Sequence, residues 1–77
     1  MMAYIIQLTL KLPSGKNLRG YIQLINGSTE LFEQRDFATR FKTRQEAEKI
    51  ARDTIKEMGS MSNLEFELIA VRARRIL

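Results

Sequence analysis

Thr43-Arg44-Gln45-Glu46-Ala47-Glu48-Lys49-Ile50-Ala51-Arg52-Asp53-Thr54-Ile55-Lys56-Glu57-Met58-Gly59 is the stretch whose reading decides the fold. Ala47, Ile50, Ala51, Thr54, Ile55 and Met58 recur at helical spacing, which predicts an amphipathic helix with one apolar stripe. Thr43 reads as its N-cap, and Glu46 three residues on completes a capping box. Glu48 and Arg52 are spaced to pair on the wet side, and Gly59 is placed to end the helix.

Everything before this helix has the other period. Tyr4, Ile6, Leu8, Leu10 and Leu12 alternate with Ile5, Gln7, Thr9 and Lys11, the pattern of a strand with one buried face. Pro13-Ser14-Gly15-Lys16 then supplies turn chemistry. Residues 18–25 return with Leu18, Ile22 and Leu24 on one face and Arg19, Tyr21 and Gln23 on the other. Asn26-Gly27 predicts a second reversal. Residues 29–32 and 37–41 read as one bulged strand or two short ones, with a loop over 33–36. After the helix, 60–63 reads as a linker with Met61 plugging the end of the sheet, and 64–71 as a closing strand. The expectation is a single α+β domain over 1–77: a β-hairpin, a third strand and a C-terminal strand in a small antiparallel sheet, with one helix on one face.

The 77 residues include no histidine and no cysteine. That excludes Ser-His-Asp and Cys-His nucleophilic sites, thiolate and imidazole zinc sites, and disulfides. Stability must then come from a small core and is expected to be on the order of 5 kcal/mol. No apolar run is long enough for a membrane span, and the N-terminal alternation lacks a signal-peptide core, so a cytoplasmic location is expected. Ser14-Gly15-Lys16 lacks the earlier glycine and the following Ser or Thr of a phosphate loop and reads as a turn. Glu30, Glu33 and Asp36 match no calcium-loop spacing and read as a solvated loop. No cofactor, metal or small-molecule substrate is expected, and the chain reads as non-enzymatic.

Charge is the remaining signal. The net charge is +4, and residues 1–29 hold Lys11, Lys16 and Arg19 with no acid, while 68–77 hold Arg72, Arg74 and Arg75 with no acid. Whether these two basic blocks lie side by side decides the reading. With the helix on the Ile6, Leu8, Leu10, Ile22 and Leu24 face, the opposite face carries Gln7, Thr9, Lys11, Arg19, Tyr21 and Gln23. An apolar streak of Ile5, Ile25, Ile69 and Val71 is expected beside them. The expected partner surface is therefore Lys11, Arg19, Tyr21, Gln23, Ile69, Val71, Arg72, Arg74 and Arg75, facing a protein or nucleoprotein. The alternatives are DNA or RNA held on a basic sheet face, and a two-fold homodimer through the apolar streak.

Ala38-Thr39-Arg40-Phe41-Lys42-Thr43-Arg44-Gln45-Glu46-Ala47-Glu48-Lys49 is similar to a pattern in small phage and bacterial proteins of unassigned function. In those proteins a hairpin leads through A-x-x-F-x-T-x-x-E-A into an amphipathic helix and a closing strand. It also looks like the three-strand-plus-helix DNA-binding domains of ethylene-response factors and phage-type integrase arms, whose sheet reads DNA. The resemblance bears on fold more than on function. The missing catalytic inventory together with the open sheet face is what leads to the expectation of an accessory or inhibitor protein of a phage or mobile element. This chain has no Trp and adds a closing strand, so no base-contact residues carry over.

Overall fold

A computed structural model describes residues 2–58 and 63–72. Gly59, Met61, Arg74 and Arg75 lie outside the described residues, and with them the expected helix stop, the sheet-end plug and the basic tail. The elements are β1 (Met2–Lys11), β2 (Asn17–Ile25), β3 (Ser28–Phe32), a 3-10 turn (Arg35–Phe37), α1 (Arg44–Glu57) and β4 (Leu64–Arg72). The four strands form one antiparallel sheet in the order β3-β2-β1-β4. This is the α+β architecture that the two hydrophobic periods imply.

Both hairpins follow from local chemistry. Asn26 and Gly27 each take positive φ, 49° and 81°, and join β2 to β3 with Ile25 opposite Ser28. Two consecutive positive φ values make the two-residue turn whose twist matches the flanking strands. In the β1–β2 connection the Gly15 N–H donates to the Leu12 carbonyl at 3.0 Å and Gly15 has φ 89°. Pro13 sits at the second turn position, where its fixed φ belongs.

α1 is capped as its sequence demands: the Glu46 N–H donates to Thr43 Oγ1 at 3.1 Å. Arg52 donates to Glu48 Oε1 at 2.7 Å. Ala47, Ala51 and Thr54 are buried, and the Thr54 hydroxyl is satisfied by the Ile50 carbonyl at 2.7 Å. The core on this side joins Ile6, Leu8, Ile22, Phe41, Ala47 and Ala51, with Tyr4, Leu24, Phe66 and Leu68 around it. Met58, expected on the core stripe, is exposed, because the helix ends before the hairpin end of the sheet. Leu18, in phase with the core, is exposed at 56% for the same reason.

Of the two stretches read as candidates for the third strand, only the first is a strand. Residues 29–32 belong to β3, but Phe37 closes the 3-10 turn and 38–41 pair with no edge of the sheet. They insert into it instead. The β1–β2 register ends at Gln7↔Tyr21, although both strands continue. Into the opening comes Thr39, whose N–H donates to the Ile22 carbonyl at 3.0 Å and whose Oγ1 accepts from the Leu24 N–H at 2.7 Å. On the other side Tyr4 and Phe41 exchange backbone hydrogen bonds, each 2.8 Å. The chain thus crosses the sheet from the face opposite the helix to the helix side, delivering Phe41 to the core and Thr43 to the start of α1.

Candidate functional site

The face opposite α1 was expected to be open, basic and apolar-streaked. Alternation and register place Lys11, Arg19, Tyr21, Gln23, Ile69 and Val71 on that face. Arg72 lies opposite Met2 on the other face, with the even-numbered core residues.

Among the described residues Arg72 does not meet the first basic block. β4 runs antiparallel to β1, so Arg72 stands at the Met2 end and Lys11 at the far end, roughly 30 Å away along the strand. Lys11 is also paired in place: its Nζ lies 3.0 Å from Glu65 Oε1. Glu67 on β4 and Glu30 on β3 interleave with Arg19 on the same face. The face is one of mixed charge.

Nor is it a continuous apolar streak. Ile5 is 1% exposed and Ala3 4%, and neither belongs to the helix-side core. The Tyr4–Phe41 bridge explains this. Antiparallel alternation about it sets Arg40 opposite Ile5 and Lys42 opposite Ala3, on the face away from the helix. Arg40 is itself half-buried there, with its Nε shielded from solvent, and a long cationic side chain laid along a sheet shields the apolar surface beneath it. Ile69, directly across from Ile5, and Val71 are half-buried; Ile25 alone of the four is exposed, at 40%.

What this face does present is aromatic. Phe32 pairs with Tyr21 across β2–β3, and the Phe37 ring stands 5.3 Å from that of Phe32 at 40°. Phe37 is 46% exposed. Arg19 is two residues from Tyr21 on the same face and is exposed. Phe32 and Phe37 were missed in the sequence because the 3-10 turn that folds Phe37 back onto β3 has no periodic pattern. The side of the hairpin facing α1 is also apolar, with Leu31 and Leu18 exposed. Leu8, Leu10, Leu18, Leu31, Met58 and Leu64 line a cleft of about 200 Å³ there. Gly20 belongs to its wall; a Cβ at that position would touch Leu31 at 3.7 Å.

Among the described residues no three acids converge to hold a metal ion, and no helix is long and apolar enough to cross a membrane. Comparison with protein-family models, with curated proteins and with solved structures finds no match.

Proposed function

We propose that this domain is a non-enzymatic binding module that occupies the surface of a partner protein through the β2–β3 hairpin and the 3-10 turn packed on it. The observation that carries the reading is the grouping of Tyr21, Phe32 and the exposed Phe37 beside Arg19 on one sheet face. Aromatic residues and arginine are the side chains that dominate binding energy at protein interfaces, since each brings large area at low entropic cost. β3 also forms one edge of the sheet, where its outer backbone groups can pair with a partner strand. An accessory or inhibitor role of the phage or mobile-element type requires a rigid patch and no chemistry.

The mixed charge of this face favours a protein over a nucleic acid at the same surface. Glu30, Glu65 and Glu67 would repel a phosphate backbone laid across the sheet. The test is capture from a lysate of the organism of origin with wild-type protein and with Phe37→Ala in parallel. One stoichiometric protein retained by the wild type and lost by the variant supports the reading. A partner held equally by both removes it.

A further inference from the structure

The fold separates Arg72 from Lys11 and Arg19, and brings a different set of cations together. Arg40 and Lys42 lie on the segment that enters the sheet beside the N-terminal half of β1, and Arg44 opens α1 directly after it. Arg72, the last residue of β4, flanks the same end of β1 from the opposite side. The backbones of Lys42 and Arg72 are therefore two strand spacings apart, about 10 Å. Lys42, Arg44 and Arg72 are exposed.

Three features set this end apart. No salt bridge engages Arg40, Lys42, Arg44 or Arg72 among the described residues. Arg40 Nε is buried with no hydrogen-bond acceptor. Finally, the rest of the described chain holds seven bases against nine acids, so this end carries the positive charge of the described molecule. Glu46, the nearest acid along the chain, sits two residues into α1 from Arg44 and thus on the opposite side of the helix.

We infer that this end binds the phosphate backbone of a nucleic acid. The four cations are distributed around the end of the sheet on both faces. A polynucleotide offers phosphates in series and can engage them together. Guanidinium groups suit that ligand because their planar forks pair with phosphate oxygens. The aromatic rings at this end, Tyr4 and Phe41, are half-buried and buried in the helix-side core, so base stacking is not provided and recognition is independent of sequence. The site lies at the opposite end of β1 from Arg19, in a molecule 45 Å long. Of the four cations Arg40 stands nearest the aromatic patch, opposite Ile5 on the face where Tyr21 stands opposite Gln7; Lys42, Arg44 and Arg72 lie beyond it.

The experiment is a titration of the full chain with a duplex DNA 20-mer at several salt concentrations. Four engaged phosphates give a slope of log affinity against log salt of about −3.6, or roughly a hundredfold loss between 50 and 200 mM. Lys42→Ala with Arg72→Ala, both exposed positions, should flatten the slope by about two with the circular dichroism spectrum unchanged. Lys11→Ala with Lys16→Ala and Arg19→Ala should leave affinity nearly unchanged, and so should Phe37→Ala. Absence of binding at 50 mM salt overturns the inference, as does a slope that ignores Lys42 and Arg72. Binding lost with Lys11, Lys16 and Arg19 instead would place the site elsewhere. Retention on anionic phosphatidylserine vesicles without retention of the oligonucleotide would replace nucleic acid by a lipid surface and overturn it too.

Discussion

Thr39 Oγ1 accepts a 2.7 Å hydrogen bond from the Leu24 N–H, at the place where β2 has parted from β1. A single side chain thus substitutes for a sheet partner. The backbone of the same residue donates to Ile22, and Phe41 bonds Tyr4 two residues later. The wedge of 38–41 satisfies groups that the separated strands would leave bare, and an unpaired amide buried in a sheet costs more than a made bond contributes.

Thr39→Val keeps the shape and removes the acceptor. The Leu24 amide is then left unsatisfied at a half-buried position, at a cost of about 1–3 kcal/mol. Urea unfolding of the two proteins checks this, with the midpoint moving and the slope unchanged. Equal midpoints would mean that water reaches Leu24 and that the wedge is not closed.

Ile69→Lys tests the buried state of the face opposite the helix. If Ile69 stood in an open streak, the variant would fold normally and lose only association. Ile69 is instead half-buried directly across from Ile5, which is 1% exposed. Placing an ammonium there is expected to destabilise the domain by about 2 kcal/mol or more, a large part of a total on the order of 5. Thermal unfolding followed at 222 nm gives the answer, and a melting temperature within two degrees or so of wild type would restore the open streak.

The contrast between these two regions marks what the sequence made legible. Alternation in 4–12 and 18–25 determined strand phase, Asn26-Gly27 the reversal, and Thr43 with Glu46 the start of the helix; each is a local signal with a local cause. Strand phase was right for Ile5 and Ile69, yet the conclusion that they are exposed was not. What fills the sheet beside Ile5 is the 38–41 segment, whose place between β1 and β2 rests on long-range bonds to Tyr4 and Ile22. No pattern within 33–42 encodes that choice of neighbours. The basic residues failed in the same way: counting charge along the chain joined Arg72 to Lys11, whereas the antiparallel β1–β4 pairing sends them to opposite ends.

Thr43→Ala removes the N-cap acceptor of α1. The Glu46 N–H then loses its partner, and a loss of about 1 kcal/mol is expected, or about 4–8 °C in a domain of this size. Thr43→Asp should restore most of it, because a carboxylate can accept the same bond. Failure of Asp to recover stability would show that Thr43 acts through packing of its methyl group and not as a cap.

Phe37→Ala separates fold from binding at the aromatic patch. Its ring is 46% exposed and rests on Phe32 through one tilted contact, so truncation should cost the fold no more than about 1 kcal/mol. At an interface the same ring would be an anchor, and its removal should weaken the partner complex by about 2 kcal/mol, roughly thirtyfold in Kd. Arg19→Ala, two residues from Tyr21 on the same face, should weaken the complex in the same direction without moving the unfolding midpoint. Calorimetry with the captured partner measures both variants, and denaturant unfolding of each free protein supplies the control. Should Phe37→Ala lose binding only in proportion to lost stability, the ring is a structural brace for β3. Should both variants bind as wild type, the partner sits elsewhere, and the apolar cleft of Leu18, Leu31 and Met58 on the other side of the hairpin is the surface to mutate next.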